Sequence, residues 1–448
     1  MAAPARRLRD AVPATAAALA AAAVLATAAP ARAARPVLAG EATYGVTGGD
    51  LLVHYATTGA DAPPAADANA DGVPDFVESV AQIAEAALDQ LGALGFRRPL
   101  SDTAIGGDAR IDIYLRDLVS ADGSAGTDSC TGDRCVGYVV AENDYAGYSY
   151  PSVEEGIRSV VPHEIFHLIQ NAYAAGQPSS WTEGSAVWAV EQLYGAGNSD
   201  FERFLPSFLQ RSFRPFERAP AGFGDGYAYG AALWPYFLAH RFEPRAVVDA
   251  WQACETAEFL AAAGAAVAPR GSSLEAAFIE FTRWNLFTGP RAAGGGYPDA
   301  AAWPTVPLEP VATGAARIFI EGLSARYLPI IVGEAPRVTV RPPAGLRVAA
   351  WLVPDGGTLA DGVELEEQDG VHAASVRAGG YTLVVTGLSR NTIATAVDVE
   401  LTPEIVEPDD DDDDGGCSAG HGHGRAGGSL LILGALCAVG RRQRRRRD

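Results

Sequence analysis

Ten residues in the middle of the chain carry chemistry in their types and spacing: Val161-Pro162-His163-Glu164-Ile165-Phe166-His167-Leu168-Ile169-Gln170. On a helix, positions i and i+4 share one face, so the imidazoles of His163 and His167 can meet one metal ion. Glu164 then falls beside a water on that ion and has the chemistry of a general base. Zinc is the ion that this donor set implies. The chain holds only 7 histidines, which makes a chance pairing uncommon. Burying two His and a Glu with nothing to satisfy them would also be costly.

A catalytic zinc needs a third protein ligand and an open position. A Gly at 170 and a His at 173 would mark the metzincin pattern, but Gln170 and Tyr173 stand there. The next candidate is Glu183, within Trp181-Thr182-Glu183-Gly184-Ser185-Ala186-Val187-Trp188. A helix, a Gly-Gln-Pro-Ser-Ser turn and a second helix fit the interval, with Glu183 at the start of the second helix. Gly184 and Ala186 are small enough to let those two helices approach. Tyr227, Tyr229 and His240 are the candidate hydrogen-bond donors to a developing oxyanion, with Tyr229, beside Gly230, preferred.

A second pattern suits a harder ion. Asp67, Asn69, Asp71, Val73 (through its carbonyl), Asp75 and Glu78 occupy positions 1, 3, 5, 7, 9 and 12 of an EF-hand-type loop, with Gly72 at the turn. Calcium is the expected ion, in a structural role. Pro63-Pro64 rules out an entering helix, so this is half of the usual motif.

The elements that must position these groups follow from periodicity. Phe76–Leu91 repeats apolar residues at helical spacing. Arg110–Leu115 and Gly137–Ala141 read as strands. Helices are expected near 153–175 and 182–194, from Tyr229 to Arg241 and from Ser273 to Phe287. Pro162 must either start the working helix or bend it. From 305 to 402 the chain reads as short alternating strands, a β-sandwich of roughly a hundred residues. His372 there reads as a solitary surface histidine.

Five cysteines fit an oxidising destination without a disulfide scaffold. Cys130 and Cys135 flank Thr-Gly-Asp-Arg in a Gly/Asp/Ser-rich loop and are expected to pair. Cys254 reads as a buried small hydrophobe. The N-terminus has the pattern of a secretion signal: Arg6, Arg7 and Arg9, an Ala-rich apolar run, then Ala31-Arg32-Ala33. Cleavage there places the mature start at Ala34. The charge of −21 excludes a nucleic-acid partner, which would want a basic stripe. The dense basic cluster, Arg441 to Arg447, ends the chain.

The pair H-E-x-x-H-x-x-Q and W-x-E-G-x-A-x-W resembles the gluzincin group of zincin metallopeptidases. More narrowly, residues 44 to 290 resemble secreted bacterial metalloproteases with an N-terminal acidic Asp/Asn/Gly/Pro-Asp motif. The resemblance implies Glu183 as third zinc ligand, peptide substrates, and an edge strand near the metal that pairs with them, here sought in Gly137–Ala141. Val187 departs from the pattern, since the thermolysin type has Asp there. Cys417, the apolar Leu430–Val439 and the final arginines resemble a MYXO-CTERM sorting tail, which implies processing near Cys417 and transient membrane anchoring.

The fold class expected is therefore α+β, a zincin-like metallopeptidase domain followed by a small all-β sandwich. The layout is a signal over 1–33, the metallopeptidase domain over 34–295, the sandwich over 305–402, an acidic linker over 403–416 and a tail over 417–448. The activity expected is that of an exported or cell-surface zinc metalloendopeptidase. A calcium-stabilised binding protein without catalysis, or a zinc hydrolase of non-peptide substrates, are the alternatives.

Overall fold

The computed structural model describes residues 34–195, 199–218, 225–311, 314–333 and 336–403. The expected leader, the expected linker beyond Pro403 and the expected tail with Cys417 lie outside the described residues.

The first sheet has the order β1-β2-β3-β5-β4. Its strands are β1 (Ala42–Tyr44), β2 (Leu51–Tyr55), β3 (Ile111–Arg116), β4 (Gly123–Thr131) and β5 (Arg134–Glu142). β2, β3 and β5 run parallel; β1 and β4 are the antiparallel outer strands. A parallel pair needs a long crossover. Helix α1 (Asp75–Leu94) supplies it between β2 and β3, burying Val77, Val80, Ala84 and Leu88.

The Gly/Asp/Ser-rich stretch expected to be a loop is strand β4. The strand expected at the edge, Gly137–Ala141, belongs to β5 and lies inside the sheet between β3 and β4. β4 reads poorly as a strand because GSAGTDSCT lacks apolar alternation, and pairing with β5 alone makes it one. Cys130 and Cys135 pair across this hairpin, directly opposite each other.

Helix α2 (Val153–Asn171) follows β5, capped by the Ser152 hydroxyl, which accepts the Glu155 N–H at 3.1 Å. It runs through Pro162 without a break. An interior proline costs about 3 kcal/mol. Val160, Val161, Ile165, Phe166 and Ile169, all buried on this helix, offset that cost. Helix α3 (Ser179–Tyr194) packs beside it and starts earlier than expected, so Glu183 sits past its first turn.

Helices α4 (Ser199–Leu209), α5 (Tyr227–Gly230), α6 (Leu233–Phe242), α7 (Arg245–Ala253), α8 (Phe259–Val267) and α9 (Leu274–Leu286) complete the helical part. The helix expected from Tyr229 to Arg241 is broken between α5 and α6. Gly230 explains the tight crossing there: a Cβ on it would meet the Phe204 carbonyl oxygen at 2.4 Å.

Two further sheets face each other, one of order β10-β9-β13-β7 and one of order β11-β12-β8-β14-β6. Their strands are β6 (Ala315–Ile320), β7 (Ala325–Val332), β8 (Pro336–Arg341), β9 (Val348–Pro354), β10 (Val363–Glu364), β11 (Glu366–Gln368), β12 (Val371–Ser375), β13 (Gly379–Gly387) and β14 (Thr395–Pro403). Ile330, Leu352, Leu383 and Val385 meet Val338, Val340, Val397 and Val399 between them. The opposite face of the first of these sheets presents Tyr327, Trp351, Val353 and Val384 to the main core. Tyr327 donates its hydroxyl to the Thr282 carbonyl on α9 at 2.7 Å. Contacts therefore continue across the boundary read at 295–305, and the described chain through Pro403 falls in one compact unit. His372 is buried, not on the surface, in β12.

Candidate metal centre

Side chains from α2 and α3 converge. The Nε2 atoms of His163 and His167 stand 3.1 Å apart. Oε2 of Glu183 lies 3.2 Å from the first and 3.4 Å from the second. Among the described residues, this is the group of His, Cys, Asp or Glu side chains whose ligand atoms gather within 4.8 Å of one another, and it could hold a metal ion. Its electrostatics favour a cation. Burial lowers the pKa of His167, but Glu183 and Glu164 outweigh it and push it up to about 9. Glu183 shows the converse: burial works against its ionisation, yet His163 and His167 hold its carboxyl well below the usual range. The negative charge that retains a proton here would equally attract a divalent ion.

His167 is oriented from behind. Its Nδ1 donates to Oε1 of Gln170 at 2.9 Å, which leaves Nε2 for a ligand. Nε2 of Gln170 donates to the Thr182 carbonyl at 2.8 Å and to the Ser185 hydroxyl at 3.2 Å. Indole Nε1 of Trp251 donates to the same hydroxyl at 3.1 Å. Gln170 thus ties the helix of the two histidines to the turn that carries Glu183. The sequence reading used Gln170 to exclude one pattern and as part of the motif of another, and gave its side chain no role. Its i+3 spacing from His167 was the signal for this role.

Glu164 is 8% exposed and lies against Gly123, the first residue of β4. A Cβ at 123 would meet Val160 Cγ1 at 2.5 Å and Glu164 Cγ at 2.9 Å. Burial raises the Glu164 carboxyl, opposed by His163 and His167 and reinforced by Glu183 and Asp122. Tyr229 stacks on His163 with ring centroids 5.9 Å apart, and its hydroxyl lies in the field of the Glu183 carboxylate. Burial, then Glu183 and Glu164, raise its pKa, so the phenol keeps its proton. The backbone of Gly184 faces Ala231 and Ala232 and not α2, as the small-residue argument had it; a Cβ there would meet their backbone at 2.9–3.1 Å. Tyr150 donates to Asp122 nearby, and Asp200, raised by burial, feels the opposing charge of His163.

The acidic loop is wrapped by its own backbone. Asp67 accepts the N–H groups of Asp71 and Gly72 at 3.2 and 2.9 Å, and Gly72 has the left-handed φ of 92° that the turn requires. Asn69 Nδ2 lies 3.2 Å from Asp71 and 3.3 Å from both Glu78 oxygens. Asp75 is turned back to the Ala68 N–H at 3.0 Å, and the Val73 side chain packs on the main core. The loop brings Asn69, Asp71 and Glu78 together but does not gather three carboxylates as tightly as the histidine centre.

No family model and no curated protein matches the chain. Among solved structures, the pre-peptidase C-terminal domain of a Bacillus anthracis collagenase aligns with 21% of this chain and 95% of its own, at 9% identity and TM-score 0.19. The lysozyme inhibitor PliG of Aeromonas hydrophila aligns with 21% and 96%, at 13% identity and TM-score 0.18. PliG of Salmonella Typhimurium aligns with 22% and 100%, at 16% identity and TM-score 0.18.

Proposed function

We propose that the chain is an exported, zinc-dependent metallopeptidase. One observation carries this reading: two imidazole nitrogens and a carboxylate oxygen converge at 3.1–3.4 Å, with Glu164 beside them. A tetrahedral ion with bonds of about 2.0–2.1 Å has ligand–ligand edges of about 3.3 Å, so the donor set and its spacing suit zinc. When bound, such an ion supplies Lewis acidity and lowers the pKa of water.

The chain's own groups supply the rest. Glu164 is the acceptor for a proton from the attacking water and the donor of it to the leaving amine. Its burial, which raises its carboxyl, suits a group that must both take and return a proton. Tyr229, still protonated, is the donor to the developing oxyanion. A free strand edge supports a peptide as substrate. The Glu142 N–H bonds the Asp122 carbonyl at 3.0 Å, so antiparallel alternation turns the backbone groups of Gly123 and Ala125 outward from β4.

Calcium is the ion we propose for the Asp67–Glu78 loop, where it would pin the start of α1. Export is supported by the leader pattern and by the Cys130–Cys135 pair. The proposed tail, processed near Cys417, would anchor the protein transiently at the membrane. Among the described residues no helix is long and apolar enough to cross one.

The test is cleavage of a peptide library by the full chain with zinc and calcium, beside Glu164→Gln. Cleavage by the wild type that the variant loses, at equal zinc content, supports the reading. Zinc-loaded protein that cleaves no peptide overturns it.

A further inference from the structure

The residues just after the expected leader pack onto one face of the first sheet. Tyr114 and Tyr138 alternate with Ile113, Leu115 and Val139, which face α1 and α2, so the tyrosines mark the opposite face. Leu38 packs on that face with Ala56, Tyr114 and Tyr138, and the Tyr138 hydroxyl donates to the Ala34 carbonyl at 3.2 Å.

Arg35 enters the same face as an internal cation. Its Nη1 bonds Asp112 and its Nη2 bonds Asp102. Nη2 also reaches Asp128 Oδ2 at 2.6 Å, with Nε on Oδ1 at 3.1 Å. The Arg35 side chain is 10% exposed and the three carboxylates 1–3%. His54 extends the network, with Nε2 2.8 Å from Asp112 and Nδ1 2.6 Å from Glu41. Three buried carboxylates around one guanidinium are stable only while it is present.

One of those carboxylates belongs to the strand beside the catalytic carboxylate. Asp128 lies where the β4–β5 register slips, between Thr127 and Ser129. The N-terminal end of β4, Gly123, touches Glu164. The disulfide pins the hairpin tip, leaving the irregularity at Asp128 as the place where β4 could slide.

We propose that Arg35 is a positioning residue: by holding Asp128 it fixes the register of β4, and so the edge on which substrate would lie beside Glu164. The catalytic part of this inference rests on the peptidase reading; the coupling of Arg35 to β4 does not.

The experiment uses the zinc-loaded full chain and Arg35→Ala, read by hydrogen exchange, zinc content and peptide kinetics. Expected are faster exchange in residues 123–131 with α2 unchanged, equal zinc, and a KM raised about fivefold or more with kcat held within about twofold. Millimolar methylguanidinium, but not sodium chloride, restores both exchange and KM by refilling the cavity. Asp128→Asn, which leaves Arg35 on Asp102 and Asp112, gives the same pattern in weaker form and serves if Arg35→Ala does not fold. Unchanged β4 exchange in both variants overturns the proposal, as does loosening spread equally over α2 with zinc lost. If the wild type cleaves no peptide but β4 loosens and methylguanidinium restores it, the clamp stands and the peptidase reading falls.

Discussion

Replacing Gln170 by Leu keeps the volume and removes every hydrogen bond this side chain makes. His167 Nδ1 loses its acceptor at 2.9 Å, and the Thr182 carbonyl loses a donor at 2.8 Å. Ser185 keeps Trp181 and Trp251 as partners, so the damage concentrates on the two ligand-bearing segments. The Thr182 carbonyl stays within helix α3 and in reach of the Ser185 hydroxyl, so His167 Nδ1 is the group left unsatisfied. A buried group in that state costs about 1–3 kcal/mol, and the protein without zinc should lose about that much stability. His167 also becomes free to rotate or to carry its proton on Nε2. Losses of this kind weaken metal sites about 10–100-fold, or about 1.4–2.7 kcal/mol. Competition with a chelating dye at fixed pH measures the zinc affinity, and urea unfolding with and without zinc measures the stability. Gln170→Glu separates the two effects: it keeps the acceptor for His167 and puts a carboxylate against the Thr182 carbonyl. It should hold zinc better than the Leu variant while also being less stable than wild type. A Leu variant that binds zinc within about twofold of wild type would refute the claim that Gln170 orients His167.

Four further outcomes follow from the same geometry. Tyr229→Phe should lower kcat about a hundredfold while zinc content is unchanged, since the ring still stacks on His163; an unaltered kcat removes Tyr229 from the mechanism. Gly184→Ala drives a Cβ into the backbone of Ala231 and Ala232, so about 1–3 kcal/mol of stability should be lost in urea, with activity falling as α5 and Tyr229 shift. Glu191 has its carboxyl pushed up to about 7, first by burial and then by Glu202 and Asp299. The folded state therefore holds this proton above the ordinary carboxylate range, and stability declines as pH rises from about 4.5 to 7. Glu191→Gln should add about 1–2 kcal/mol at pH 8 and almost nothing at pH 4, discounting for partial exposure; equal effects at both pH values contradict the assignment. In the acidic loop, Asp71→Ala should abolish a calcium-dependent rise in Tm on the order of 5 °C, while wild type in chelator should match the variant.

Local periodicity made the heart of the site legible before any fold was known. The i, i+4 relation of His163 and His167 is a property of the helix itself, and the apolar residues around it announced burial. The α1 repeat, the strands β3, β5, β8 and β13, and the proximity of Cys130 to Cys135 were readable for the same reason. The position of Glu183 came from spacing together with a resemblance, because a turn between two helices can place a residue in several ways.

What tertiary structure alone decided are the pairings between distant segments. β4 is a strand because β5 lies beside it, and it is the edge because nothing pairs beyond it among the described residues. The sequence around Pro162 allowed a start or a bend, and the helix begins well before it, at Val153. Gly184 meets α5's exit and not α2, Gln170 bridges two helices, and Arg35 finds an aspartate 93 residues away. In each case the deciding energy is a contact between residues far apart in the chain. A periodic pattern records which face of an element is buried, but not which element covers it.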